Sequence, residues 1–424
     1  MSLLELVLTV GSLLLTAQAM YSTALMLYAW EDEDKHVRSR APRDLLEPRT
    51  SFTVLLPARH EEAVIADTIR RLVELHYPAE LVQILVVMEA GDHGTIEIVR
   101  QTITELRQHG IERVAMVTFD DPPINKPHGL NVGLACATGD VVTIFDAEDE
   151  PHPDILNVVN TIILREGSPV IQCGVQLMNY ADRWFSALNV LEYFFWFKSR
   201  MHYHAAIGMV PLGGNTVFVR RDLLLSVDGW DQHCLTEDAD IGIRLSARGT
   251  PIRVVYEDAL VTREETPPTV QQFVRQRTRW NQGFLQVLLK RDWLHLPTWS
   301  QRLLALYTLG FPIFQMLMMV YVPISLWSIM SAKVAVLVAM ISVLPLYMLC
   351  IQLVISMVGL YEFTSVHGLR RSRVALVHLL LAYMPYQWLL GYAALRAVWR
   401  QVRGQGGWEK TVHTGAHRLA AEPR

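Results

Sequence analysis

Hydrophobic and polar positions divide the 424 residues into two textures. Residues 6–30, 303–332, 334–361 and 374–395 contain no Asp, Glu, Lys or Arg. Each run exceeds the roughly 20 residues a helix needs to cross a bilayer. Residues 31–302 are charged throughout, and short β-rich runs alternate there with stretches of helical period. Phe52–Leu56 predicts a strand stopped by Pro57, and residues 61–75 a helix with Glu61 and Glu62 at its positive end. Gln83–Met88 predicts a second strand, Thr95–His109 a helix closed by Gly110, and Arg113–Val117 a third strand. Val141–Phe145 predicts a fourth, running into Asp146. Alternating strands and helices imply a parallel sheet with ligands at the carboxyl ends of its strands. Pro57, Glu89 and Asp146 fall just past such ends.

The expected division is a transmembrane helix over 1–30, a linker over 31–50 carrying Pro42 and Pro48, and a cytoplasmic α/β domain over 51–266. Residues 267–300, bracketed by Pro267-Pro268 and Pro297, read as an amphipathic helix on the membrane surface. A C-terminal membrane region over 301–399 and a basic tail over 400–424 follow. The first apolar run is long, lacks a basic flank and precedes Glu31-Asp32-Glu33-Asp34, so it reads as a retained anchor rather than a signal peptide. Between residues 182 and 206, Trp184, Phe185, Tyr193, Phe194, Phe195, Trp196 and Phe197 form an aromatic segment suited to core or interface packing, or to a platform for sugar rings.

A net charge of −4 argues against nucleic acid as a partner. Cys136, Cys173, Cys234 and Cys350 are scattered, which suggests neither a disulfide frame nor a zinc site.

Three acidic stations and one basic-aromatic station carry the candidate chemistry, the first acidic one being Glu89 after the second strand. Asp146 and Glu148 are spaced to share a hard cation, Mg²⁺ or Mn²⁺, although Asp149 and Glu150 also make the loop a plain acidic turn. Asp238, in Thr236-Glu237-Asp238 before the helical run Ile241–Ala247, suits a general base that takes a proton from an attacking hydroxyl. Simple helix capping by Thr236 or Asp238 is the alternative. Gln276 and Arg279 share a helical face beside Trp280, giving donors for a departing anion and a stacking surface. Arg275, Arg277 and Arg279 equally suit contact with anionic lipid.

Pro57-Ala58-Arg59-His60-Glu61, Asp146-Ala147-Glu148, Thr236-Glu237-Asp238 and Gln276-x-x-Arg279-Trp280 together resemble the membrane-embedded family 2 glycosyltransferases, the group of cellulose, chitin and hyaluronan synthases. The resemblance covers about residues 50–300 and the flanking spans. It implies a GT-A nucleotide-diphospho-sugar transferase fold with α-helical transmembrane segments. It also implies an inverting transfer that uses a divalent cation. Pro57, Ala58, Arg59, Glu61 and Glu89 would hold the nucleoside, Lys126, Gln276 and Arg279 the diphosphate, and Asp146 the nucleotide and cation. Glu148 would bind the cation, Asp238 would be the base, and Gly214, Asn215, Glu237 and Trp280 would line the acceptor site, with Gly213-Gly214-Asn215 preceding a strand over Thr216–Val219.

Three positions depart from the family pattern. Glu89 and Asp92 stand where paired Asp is usual, Asp146-x-Glu148 replaces D-x-D so that Asp149 is a rival ligand, and His60 replaces Asn. The implied reaction moves sugar from a UDP-sugar onto a growing polysaccharide at the cytoplasmic face of the plasma membrane. Single transfer to a lipid-linked acceptor is the alternative. With three apolar runs after the domain, any channel is narrow or shared between subunits of an oligomer. A nucleotide-binding scaffold or transporter is the non-enzyme reading, disfavoured for transport because the runs lack charged centres and His378 is the one imidazole deep within them.

A cytoplasmic domain puts Met1 outside and Arg370-Arg371-Arg373 inside. Three later crossings would put the basic tail outside, against the same rule. Either residues 374–395, interrupted by Pro385, form a re-entrant or interfacial element, which is the better option, or the tail is an exception to the rule. The first option would let Trp408-Glu409-Lys410-Thr411 return to the cytoplasmic surface near the active site.

Overall fold

A computed structural model describes residues 2–30, 34–35, 39–409, 415 and 417–418. Met1, Glu31-Asp32-Glu33, Lys410 and Thr411 lie outside the described residues. Helix α1 (Leu3–Leu27) leads into an α/β unit of β1 (Phe52–Ala58), α2 (Ile65–Val73), β2 (Val82–Glu89), α3 (His93–Gln108), β3 (Val114–Phe119), α4 (Lys126–Ala135) and β4 (Val141–Ile144). There follow α5 (Ile155–Glu166), β5 (Val170–Cys173), β6 (Val175–Leu177), α6 (Ser186–Phe195) and, after a π-helical turn over Trp196–Arg200, α7 (Met201–Ile207). The domain closes with β7 (Val217–Arg220), α8 (Arg221–Ser226), α9 (Glu237–Ala247), β8 (Ile252–Val255) and β9 (Thr262–Glu264). Last come α10 (Val270–Lys290), α11 (Trp299–Ser331), α12 (Val336–Ser342), α13 (Leu344–Val366) and α14 (Arg373–Val402).

Seven strands form one sheet in the order β3-β2-β1-β4-β7-β5-β8, and β6 pairs with β9 in a second. The expectation of a parallel sheet needs one correction: β7 runs antiparallel to both β4 and β5. Strand residues alternate between two cores. Val54, Leu56, Ile84 and Val86 meet Ile65, Ile69 and Leu72 of α2, and Leu55, Leu85 and Val87 meet Leu130 and Leu134 of α4. Apolar residues on both strand faces are what a sheet covered on both sides requires.

β1 runs through Pro57 rather than stopping before it. Its pairing with β4 ends at Leu55↔Ile144, while Pro57↔Val87 continues on the β2 side, so a ring without an N–H is accommodated at a half-open edge. Three helix expectations also change. Residues 61–64 form a turn, and α2 starts only at Ile65, so Glu61 is not in its first turn. The segment 267–300 is not one helix: α10 ends at Arg291 in the left-handed region (φ 67°), and α11 starts behind a Thr298–Gln301 capping box. α14 runs unbroken through Pro385. Both flanks of α14 touch the α/β domain side. The Tyr180 hydroxyl donates to the Arg370 carbonyl, and Gln282 Nε2 donates to the Gln405 carbonyl at 2.6 Å.

Among the described residues, four helical stretches are long and apolar enough to cross a bilayer: Leu3–Leu27, Trp299–Ser331, Val336–Val366 and Arg373–Val402. Trp327, Met330, Val354 and Leu381 on them are exposed, as lipid-facing side chains would be. The aromatic segment joins the two textures. Phe185, Phe194 and Phe195 are buried in the same core as Leu360, Phe363 and Tyr386, whereas Tyr193 and Trp196 turn toward a cavity.

Candidate active site

A cavity of about 500 Å³ opens at the carboxyl ends of β1, β2 and β4 and continues between α1, α11, α13 and α14. Pro57, Ala58, Arg59, Glu61, Glu89, Lys126, Asp146, Glu148, Gly214, Asn215, Glu237, Asp238, Gln276, Arg279 and Trp280 all line it. Positions up to 223 residues apart in sequence, from Pro57 to Trp280, therefore share one space.

At the nucleoside end, Arg59 Nε lies 2.8 Å from Glu89 Oε2. Asp92 is used differently. It is buried, its carboxylate accepts from the His60 amide at 2.6 Å and the Thr95 amide at 3.3 Å, and it caps α3. His60, Glu62 and Asp92 bring three ligand atoms within 4.8 Å of one another, but Asp92 is engaged by backbone amides and the trio lies outside the cavity lining. His60 sits at φ 53° in this turn.

The loop after β4 separates its carboxylates in the same way. Asp146 and Glu148 face the cavity. Asp149 is fully buried, accepts from the Asp146 amide at 2.7 Å, and is gripped by Asn215 Nδ2 at 2.9 and 2.8 Å. Asn215 also donates to Glu264. Burial, with the Glu264 charge beside it, pushes Asp149 well above the ordinary carboxylate range. Burial and the Glu148 and Asp146 charges push Glu264 to about 8. Glu264 lines the cavity and was not singled out from sequence, because β9 offers one acidic residue in a run with no motif. The hard oxygens of Asp146 and Glu148, with Glu264 behind them, suit a divalent cation, which would offset the mutual repulsion of these carboxylates.

Lys126, at the start of α4, donates to Asp146 and to the Gly214 carbonyl at 3.2 Å. Burial pulls its ammonium down, but Asp146, Glu237 and Asp238 outweigh that and hold it above its ordinary value. An added Cβ at Gly214 would sit 3.3 Å from Asp238 Oδ2, so that carboxylate would have to shift by a few tenths of an ångström. Asp238 lies in the first turn of α9. Thr236 makes no capping hydrogen bond, and Asp238 accepts from the Ala239 amide at 2.8 Å. Burial raises Asp238 above the ordinary carboxylate range even though Lys126 and Arg279 oppose it. Burial and the Asp238 charge push Glu237 to about 7.

α10 brings the basic-aromatic station to this point. Gly283 makes the approach possible, since a Cβ there would lie 2.4 Å from Thr236 Oγ1 and 2.7 Å from the Thr236 amide. Arg279 forms no ion pair among the described residues, and its guanidinium stacks on Trp408 at 4.4 Å. Arg277 instead is buried against Glu192 and stacks on Trp280 at 4.7 Å, so it braces the indole. Trp408 therefore lines the same cavity, held there by Glu409 bound to Arg396 and Arg400. Further on, Arg418 donates to the Glu148 carbonyl at 3.1 Å and to Asp67 at 2.8 Å. Trp408 and Glu409, read from the sequence as returning near the active site, thus lie at the cavity, whereas only contact in space identifies Arg418 there.

The comparisons with known proteins agree with this geometry. Residues 48–283 match the model of the glycosyltransferase-like family 2. A probable glycosyltransferase of Bacillus subtilis, YdaM, is 27% identical over 252 residues, 58% of this chain and 58% of its own. A β-monoglucosyldiacylglycerol synthase of Trichormus variabilis is 28% identical over 237 residues, 55% of this chain and 49% of its own. The matches thus span about half the length of these relatives. A mannosyltransferase of Pyrobaculum calidifontis, solved with GDP-Man and Mn²⁺, superposes with a TM-score of 0.51 at 19% identity, over 92% of this chain and 99% of its own, which shows a shared GT-A-like fold. The chain belongs to the glycosyltransferase-like family 2.

Proposed function

We propose that this enzyme is an inverting, cation-dependent transferase that moves a sugar from a UDP-sugar to an acceptor hydroxyl delivered from the membrane. The observation that carries this reading is the single cavity joining Asp146, Glu148, Lys126 and Arg279 to Asp238, then extending between the apolar helices. Arg59, Glu61 and Glu89 surround the nucleoside. Asp146 and Glu148 hold Mg²⁺ or Mn²⁺, which when bound supplies positive charge to the donor diphosphate. The acceptor oxygen attacks the anomeric carbon as the bond to the diphosphate breaks, and its proton passes to Asp238. One displacement with the base opposite the leaving group inverts the centre. Lys126 and Arg279 offset the charge gathering on the leaving diphosphate, and Trp280, Gly214, Asn215 and Glu237 position the acceptor. Burial raises the Asp238 carboxyl above its ordinary value, which makes the carboxylate a stronger acceptor for that proton.

The catalytic side is assigned to the cytoplasm. Crossing by α1, by α11 and by the α12–α13 pair returns the chain to that side. α14, with both flanks on the domain, then lies in the membrane face without crossing. Arg370, Arg371, Arg373 and the basic tail are then all inside.

Extension of a polysaccharide is the first reading of the acceptor. Single transfer to a lipid-linked acceptor is the second, favoured by Leu25, Met26, Phe311 and Leu390 in the membrane arm of the cavity. Purified protein given a panel of nucleotide sugars should release nucleoside diphosphate from one of them. Sizing the radiolabelled product then separates a ladder from one discrete increment, and silence with every donor rejects the enzyme reading.

A further inference from the structure

The cavity continues past every residue the transfer uses. Its membrane arm is lined by Ser22, Arg200, Tyr307 and Thr308. Arg200 closes the π-helical turn after α6, and its Nη2 donates to Ser22 Oγ at 2.9 Å. It forms no ion pair among the described residues. Glu192, whose charge it feels, is already bound by Arg277 and by the Tyr386 hydroxyl. Burial lowers the Arg200 guanidinium from its ordinary value, as expected for a cation short of a counter-charge. In the same cavity wall the hydroxyls of Tyr307 and Thr308 are buried without a hydrogen-bond partner among the described residues, and Thr308 is only 5% exposed. A lone guanidinium and two unused hydroxyl donors are costly unless something completes them.

We infer that Arg200, Tyr307 and Thr308 form a subsite for the phosphate of a lipid-linked acceptor. The inference rests on the reading that the acceptor comes from the membrane, and it names that acceptor's chemistry. A guanidinium fork flanked by hydroxyls matches an oxyanion with several acceptor oxygens. Depth supports a lipid source. Ser22 stands five residues before the end of α1, roughly 7.5 Å along a helix axis, and Leu25 and Met26 adjoin it in the wall. An anion at that level next to an apolar wall is a headgroup carrying an acyl or prenyl chain. The phosphate would then sit at Arg200 while the sugar it carries reaches Trp280 and Asp238.

The test is equilibrium binding of farnesyl phosphate to the purified full-length chain, with farnesol and inorganic phosphate as the other two probes. Wild type should bind farnesyl phosphate more tightly than either. Arg200→Met should weaken it about 10- to 100-fold, the range expected for losing a charge-assisted contact. Arg200→Lys should lose less, and Arg279→Met at the donor end should change it by less than about twofold. Tyr307→Phe with Thr308→Val keeps the charge, tests the hydroxyls alone, and serves if Arg200→Met does not fold. Equal binding of farnesol overturns the inference. So does inorganic phosphate matching the lipid phosphate, or loss on Arg279→Met instead of Arg200→Met. Because the readout is binding, an enzyme that transfers only to neutral acceptors would fail here and still turn over.

Discussion

At the donor end of the cavity Asp146 is held by Lys126, Glu89 by Arg59, and Asp149 by Asn215. At the membrane end the Arg200 guanidinium meets the Ser22 hydroxyl, and Gln315, Gln352 and Gln387 share the lining with apolar walls. The first arrangement is dense in charge, and each group fixes its neighbour, so its field is set before substrate arrives. The second is sparse, and selection there falls to shape and a few directed donors. Reaction chemistry and acceptor choice are thus separable properties of one cavity.

Substitutions can sharpen that contrast. The largest effect belongs to Asp238→Asn, expected to slow transfer by about 10²- to 10⁴-fold with nucleotide affinity unchanged. Normal turnover by that variant would remove Asp238 as the base. Chelation with EDTA should cut turnover by at least about 100-fold, since a divalent ion contributes several kcal/mol of charge stabilisation, and added Mn²⁺ or Mg²⁺ should restore it. Undiminished rates in metal-free buffer would dismiss the cation.

Arg277→Met acts between the two ends. It leaves the half-buried Glu192 carboxylate with only the Tyr386 hydroxyl, so stability should fall by about 1–3 kcal/mol, read as a lower thermal midpoint. An unchanged midpoint would mean that the pair is solvated. The pH profile comes next. Asp238 works as a carboxylate and its ionisation is raised, so kcat/KM should climb with pH, with its acid limb above the ordinary carboxylate range. Glu237→Gln removes a neighbouring negative charge and should move that limb to lower pH. A limb that stays put uncouples the two groups. Smallest is Trp408→Ala, which loses the contact over Arg279 and should weaken donor binding about 3- to 10-fold.

Much of the donor end was legible along the chain because its residues follow strands, and strand ends converge at one edge of a sheet. Pro57, Glu89 and Asp146 could be placed that way. Choices between neighbours could not. Whether Glu89 or Asp92, and Glu148 or Asp149, faces the cavity depends on which carboxylate the local backbone amides and Asn215 engage. Glu264 and Arg200 belong to no motif or spacing, so contact alone reveals them, and contact alone sets Trp408 against Arg279.

The helix boundaries failed for a related reason. Pro385 predicts a break, but apolar neighbours on both sides let α14 continue, and the bend at Arg291 depends on a left-handed residue that periodicity does not register.

Periodicity and motif order, read from the residues themselves, determined the α/β class, the apolar helices and the family, because burial patterns and short-range spacing are local properties. Only the tertiary structure decided which carboxylate turns inward, that the tail comes back over Arg279, and that a polar arm extends between the membrane helices. Those outcomes depend on competition among groups distant in sequence for the same few hydrogen bonds and counter-charges, and no local pattern encodes that competition.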